Sequence, residues 1–276
     1  MKNNGHKPFL RWAGGKRWFL KEIGRFLPEK INNYHEPFLG GGSVFFFLKP
    51  ENVSYLSDSN TALINAYIQV RDNLTNVYSI LETFENNKDE YYKIRETVYD
   101  DTISQAAQFI YLNRTNFNGI YRVNLKGEYN VPYGFKEYKV LFDYDVLLSA
   151  SKILQNVILK AKDFEHTINL IKEDDFVFLD PPYTVTHVKN GFIKYNEKLF
   201  SWEDQKRLAE TIRMIKSKGA YYLLTNANHE SVEKLYGEID KPISIQRYSV
   251  IGGKKAKRGE IQEFVFTNVN NGVGRM

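Results

Sequence analysis

Asp180-Pro181-Pro182-Tyr183 is the densest concentration of chemistry in the chain, and it directly follows the apolar run Phe176-Val177-Phe178-Leu179. Such a run fills a buried strand, and in open α/β sheets ligands bind at the carboxyl ends of strands. Paired prolines fix the backbone and remove two N–H donors, leaving carbonyls of set direction as acceptors. A carboxylate, a rigid carbonyl and an aromatic face make a receptor for a flat ring bearing an amino group. A second motif, Glu36-Pro37-Phe38-Leu39-Gly40-Gly41-Gly42-Ser43, leads into the apolar stretch 44–48. Its glycines, Gly40 and Gly42 among them, let the backbone approach a ligand closely at a strand-to-helix turn. The spacing is not G-x-G-x-x-G, and Gly14-Gly15-Lys16-Arg17 lacks the phosphate-loop pattern, so no diphosphate is indicated. Asp58 ends the next strand-like run, where doubly wound nucleoside sites set an acid against ribose hydroxyls. Each motif alone also reads as an ordinary turn; coupled, they point to a nucleoside cofactor without a diphosphate.

The elements that must position these residues follow from hydrophobic patterning. Strand-type runs occur at 53–58, 157–163, 176–180, 220–226, 243–250 and 261–267, with helical patterns at 16–27, 61–71 and 202–218 between them. Near-continuous apolar strands alternating with helices predict an α/β fold with a doubly wound, mostly parallel sheet. The last two strands, joined by a short basic loop, should pair antiparallel at one edge. Asn226, ending one of the runs, is expected at the same rim as Asp180. Residues 64–144 break the alternation: helical patterns at 77–85, 90–99 and 103–114 precede a hairpin turning at Lys126-Gly127. The chain therefore reads as one domain of residues 1–63 and 145–276, with residues 64–144 inserted as a second, mainly helical domain carrying a β-hairpin.

The chain has 276 residues, 38 Lys and Arg against 33 Asp and Glu, and no cysteine. Absence of cysteine excludes disulfides, thiolate metal sites and thiolate nucleophiles. That argues against any reaction that begins with attack by a thiolate. The five histidines show no ligand spacing, so no metal site is expected. The charge excess is small but clustered, in the first thirty residues and at Arg247, Lys254, Lys255, Lys257 and Arg258. A surface facing a polyanion and a merely solvated surface fit that pattern equally. No apolar run approaches the length of a membrane span and no signal sequence is visible, so a soluble, cytoplasmic protein without a membrane partner is expected.

The chain resembles the DNA adenine-N6 methyltransferases of the Dam type, which act on GATC. The resemblance spans nearly the whole sequence, with four motifs in family order: 9–16, the loop 36–43, the recognition hairpin 112–134 and the tetrapeptide 180–183. It implies S-adenosyl-L-methionine (AdoMet) as cofactor and double-stranded DNA as partner. It also implies that residues 1–63 with 145–276 are the catalytic domain and residues 64–144 a DNA target-recognition domain. Trp12, Lys16, Gly40, Gly42, Asp58, Asp163, Phe164 and Asp180 would bind AdoMet, Asp163 and Phe164 holding its adenine. Asp180, Pro181 and Tyr183 would be catalytic. Phe117, Asn118, Ile120 and Arg122 would contact or wedge into DNA, with Arg11 at a guanine-contacting position where the family often has Lys. Lys254, Lys255, Lys257 and Arg258 would attract phosphates. Residues 184–200 depart most from the family pattern. Amino-group methylation of RNA or of a protein glutamine, and a catalytically dead DNA-binding module, stand as alternatives. Whether a cognate restriction endonuclease accompanies the enzyme is left open by the sequence.

Overall fold

The computed structural model describes residues 7–124, 126–184, 200–248 and 260–269. Seven strands, β1 (Tyr34–Glu36), β2 (Ser54–Asp58), β3 (Val157–Ala161), β4 (Phe176–Leu179), β5 (Tyr221–Ala227), β6 (Ile243–Tyr248) and β7 (Glu260–Thr267), form one sheet. Their order is β3-β2-β1-β4-β5-β7-β6. β1 pairs parallel with β4 (Tyr34↔Phe176) and β4 parallel with β5 (Phe178↔Leu223). The expected antiparallel pair is present, with β7 slotted between β5 and β6 (Thr225↔Val265, Ile245↔Glu263). The strand order reverses between β1 and β4, which in doubly wound sheets marks the ligand-binding crevice at the strands' carboxyl ends.

Two expectations need correction. β1 is absent from the patterned strands because Tyr34-His35-Glu36 is no apolar run, yet all three residues are buried. The Tyr34 hydroxyl donates to Glu36 Oε2 (2.7 Å) and His35 Nε2 donates to Asp175 Oδ2 (2.8 Å), so most of this buried polarity is paired, with His35 Nδ1 left without a partner among the described residues. The single helix expected at 16–27 is two 3₁₀ turns, Lys16–Lys21 and Ile23–Phe26. Gly24 weakens a helix at its middle, while the 3₁₀ turns still bury Phe19, Ile23 and Phe26.

The chain divides into two compact units. The first comprises residues 1–17, 39–51 and 56–162. It holds α1 (Ser43–Leu48), α2 (Thr61–Asp72), α3 (Leu74–Glu82), α4 (Lys88–Glu96), α5 (Thr102–Thr115) and α6 (Tyr144–Ile153). Side chains of Asn60, Asn87, Asp101 and Asp143 cap the starts of α2, α4, α5 and α6; each such cap contributes about 1 kcal/mol. Beyond α5 lies the expected hairpin, paired at Val123↔Tyr129 and turned at Gly127, whose φ is 81°.

The second unit comprises residues 18–38, 52–55 and 163–276. It is organised on β4, all four of whose residues are buried. Helix α7 (Trp202–Ser217) opens on a capping box of Ser201 and Asp204 and buries Leu208, Ile212 and Ile215 in the same core as Val177, Leu179, Tyr222 and Leu224. Each such side chain contributes roughly 1.5–3 kcal/mol. Helix α8 (Glu230–Tyr236) adds Val232 and Tyr236 to that core.

Candidate functional site

In the second unit the tetrapeptide begins where β4 ends. Pro181 is buried, and Asp180, Pro182 and Tyr183 are half-buried. The Thr225 hydroxyl donates to Asp180 Oδ1 (2.8 Å), and the Tyr183 hydroxyl donates to Glu263 Oε2 (2.5 Å). The next residue, Thr184, donates to the Phe200 carbonyl and accepts from Gln205 Nε2 (3.0 Å). Gln205 Oε1 in turn accepts from Asn226 Nδ2 (3.1 Å) and from the Tyr236 hydroxyl (2.6 Å). Gln205, Thr225 and Asn226 are fully buried. Asn226 therefore belongs to the support beneath the loop, not to its rim.

Asp163 and Phe164 follow β3 at the start of a 3₁₀ turn in this unit. Asp163 Oδ1 accepts from the Glu165 N–H (3.0 Å) and from Arg207 Nη2 (2.9 Å). Arg207 also binds Glu165 and Asp204, and its guanidinium lies 4.9 Å above the Phe164 ring. Phe164 packs against Phe38 and Phe200, so the residue contributes a buried ring to the core. Among the described residues neither Asp163 Oδ2 nor the Phe164 N–H has a partner.

In the first unit the glycine turn is built around two side chains. Gly40 has φ 46°, and a Cβ there would lie 2.6 Å from Trp12 Cδ1; Gly42, at φ 63°, faces the Tyr67 hydroxyl and the Phe46 ring. Only glycine meets both demands at Gly40. The Gly40 N–H donates to Asp58 Oδ2 and the Asn60 N–H to Asp58 Oδ1, both at 3.0 Å, while the Tyr67 hydroxyl donates to the Gly40 carbonyl. Burial raises the Asp58 carboxyl pKa above its ordinary value, against the lowering effect of the Asn60, Gly40 and Ser59 N–H groups. Lys16 is buried, with Nζ 3.1 Å from the Gly14 carbonyl.

Trp12 stacks on Tyr121 of the hairpin (centroids 5.7 Å, 18°) and on Phe109 of α5. Asn113 clamps the Arg11 backbone, accepting from its N–H (2.9 Å) and donating to its carbonyl (2.8 Å). The Arg11 guanidinium donates to the Tyr138 hydroxyl (2.9 Å), and Gly119 packs so tightly that a Cβ would meet Arg11 Cβ at 2.6 Å. Phe117 is 51% exposed, Asn118 is exposed at φ 62°, and Ile120 is half-buried. Arg122 is exposed and reaches across the hairpin to Asn130 (2.8 Å to Oδ1). Lys254, Lys255, Lys257 and Arg258 lie outside the described residues, as do residues 185–199 of the segment that departs from the family pattern.

Sequence reasoning missed Thr225, Glu263, Gln205 and Arg207, and placed Asn113 in a motif without giving it a role. Thr225 and Glu263 become meaningful only through strand register. Asn113 and Arg207 sit on helices whose patterns advertise burial and solvation, not contact with distant segments. Among the described residues there is no cluster of three or more metal-ligating side chains, and no helix is long and apolar enough to cross a membrane.

A doubly wound sheet with a glycine turn after β1, an acid ending β2 and a Pro-rich acidic turn after β4 defines the AdoMet-dependent methyltransferase fold. The chain belongs to the D12 class N6 adenine-specific DNA methyltransferase family, whose model matches residues 12–251. It is 36% identical over 275 residues to the type II methyltransferase M1.LlaDCHI of Lactococcus lactis subsp. cremoris, covering 96% of each chain. It is also 36% identical over 286 residues to the type II methyltransferase M.MjaIII of Methanocaldococcus jannaschii, covering 95% of this chain and 99% of that one. The DNA adenine methylase of Haemophilus influenzae is 31% identical over 270 residues, covering 94% and 93%. The protein is thus an adenine-specific DNA methyltransferase, and its family implies AdoMet as methyl donor.

Proposed function

We propose that this enzyme methylates the N6 amino nitrogen of an adenine flipped out of duplex DNA, within GATC, using the residues 180–183 as its catalytic centre. The observation that carries this reading is the Asp180 carboxylate, fixed by the Thr225 hydroxyl at the carboxyl end of β4. The amino nitrogen of adenine is a weak nucleophile because its lone pair is delocalised into the ring. Asp180 and the Pro181 carbonyl accept its two hydrogens, favour a pyramidal nitrogen and aim the lone pair. This is catalysis by positioning and electrostatics, with no covalent enzyme intermediate. Tyr183 stacks on the base. A duplex buries that nitrogen, so the base must leave the stack. The nitrogen takes the methyl group, the carbon–sulfur bond breaks, and the surplus amino proton leaves through Asp180 or water.

AdoMet, when bound, supplies an electrophilic sulfonium methyl. The residues present fit it. In the first unit, Gly40 and Gly42 hold the turn open, Trp12 and Lys16 flank the N-terminal segment, and Asp58 accepts ribose hydroxyls. In the second, Asp163 Oδ2 and the Phe164 N–H read the adenine edge, with the Phe164 ring serving as ballast.

On the same reading residues 64–144 are the recognition domain and residues 1–63 with 145–276 the catalytic domain. Phe117, Asn118 and Ile120 wedge into the duplex, and Arg122 and Arg11 read guanine. Lys254, Lys255, Lys257 and Arg258 bind phosphates. The type II relatives support a cognate restriction endonuclease as partner. GATC rests on the Dam-type resemblance, and membership of a DNA-methylating family leaves RNA, protein and dead-module readings without support. Asp180→Ala, assayed for methyl transfer from labelled AdoMet into unmethylated duplex DNA, tests the reading: it should abolish transfer, and full activity would overturn it.

A further inference from the structure

Two side chains from the antiparallel part of the sheet meet the two ends of the tetrapeptide. Thr225 on β5 holds Asp180, and Glu263 on β7 holds Tyr183. They lie close in the β5–β7 ladder, where Thr225 pairs with Val265 and Ala227 with Glu263. Both are buried, Thr225 fully and Glu263 at 2% exposure. Burying an ionisable carboxylate is costly unless it is hydrogen-bonded, and Glu263 accepts from the Tyr183 hydroxyl at 2.5 Å.

We infer that Thr225 and Glu263 are positioning residues for methyl transfer, fixing the first and last residues of the 180–183 segment from β5 and β7. This rests on the catalytic reading of Asp180 and Tyr183 given above. A hydroxyl donating to Asp180 Oδ1 selects one carboxylate rotamer. A phenol anchored at its far oxygen has its ring held in place, and the hydroxyl is turned to β7, leaving the face of the ring for stacking. Pro181 and Pro182 have φ fixed by their rings, so two anchored ends set the direction of the carbonyls between them. The antiparallel strand β7 thereby acquires a functional role: it presents a carboxylate to the loop that follows β4.

The test measures kcat with a long duplex free of methylated adenine, together with AdoMet Kd by calorimetry, on full-length protein. Tyr183→Phe and Glu263→Gln should each lower kcat about tenfold while AdoMet Kd stays within about twofold. The double variant should be no worse than the poorer single one, because the two act as a unit. Thr225→Val should lower kcat comparably, and Thr225→Ser, which keeps the hydroxyl, should recover most of the loss. Additive losses in the double variant, or single variants with wild-type kcat, overturn the inference. If Glu263→Gln does not fold, Tyr183→Phe decides alone, since it removes one oxygen atom; unchanged kcat refutes the anchor. Asp180→Ala separates the two levels. An active Asp180→Ala defeats the catalytic reading itself, whereas an inactive one alongside wild-type Tyr183→Phe, Glu263→Gln and Thr225→Val defeats only the positioning role.

Discussion

Asp58 accepts one backbone N–H on each carboxylate oxygen, from Gly40 and from Asn60. Those donors fix the side chain, and on the proposed reading its remaining lone pairs accept the ribose hydroxyls. On the proposed reading, Asp58→Asn should weaken AdoMet binding about 10–100-fold by calorimetry, the worth of one or two charge-assisted hydrogen bonds. Because burial holds this carboxyl above its ordinary pKa, wild-type affinity should begin to fall at a pH above the usual carboxylate range of about 3.9. Gly40 tests the packing side of the same turn. Gly40→Ala places a Cβ 2.6 Å from Trp12 at a left-handed φ, which should cost about 1–3 kcal/mol in denaturant unfolding. Asp180, Asp58 and the glycines were legible in the sequence because proline, glycine and strand-ending acids carry backbone meaning on their own. The sequence-stated roles of Asp163 and Phe164 came from resemblance; the structure adds that the Phe164 ring is core, held beneath Arg207.

At the scale of elements, the hairpin and the strand starts make separate claims. Arg122 lies exposed on the hairpin, braced by Asn130. A bidentate arginine–guanine contact is worth about 1–3 kcal/mol of discrimination. Arg122→Ala should therefore relax site choice while leaving AdoMet Kd unchanged; an unaltered sequence preference, read from methylated-adenine maps, would reject that role. At the start of β4, buried Asp175 accepts from His35 and from the N–H groups of Asn33 and Lys172. Burial alone would raise its pKa, but the His35 and Lys172 bonds outweigh it and hold the carboxyl below its ordinary value. A depressed folded-state pKa gives stability that is present above the unfolded value of about 3.9 and lost as pH falls through the folded one. Asp175→Asn should accordingly cost about 2–4 kcal/mol near neutral pH and flatten the acid limb of the stability curve. β4 and β5 were legible as continuous apolar runs. β1 was not, because Tyr34 and His35 carry polar atoms into the core, where Glu36 and Asp175 accept from the Tyr34 hydroxyl and from His35 Nε2.

For the whole molecule, alternation of strands and helices was enough to expect a doubly wound sheet, and the antiparallel pair at its end followed from a short connection. The slotting of β7 between β5 and β6 was not legible, since hydrophobic patterning marks a strand without naming its neighbours. That placement is what brings Glu263 to Tyr183. The central claim is a single chemical act, transfer of a methyl group to adenine N6 in duplex DNA at a defined short sequence by Asp180. The most direct measurement is single-molecule sequencing of modified bases in DNA from cells lacking adenine methylation that express this chain or its Asp180→Ala variant. N6-methyladenine confined to GATC with the wild-type chain, and none with the variant, is the expected result. Methylation persisting in the variant, or methyl groups on cytosine instead of adenine, would contradict it.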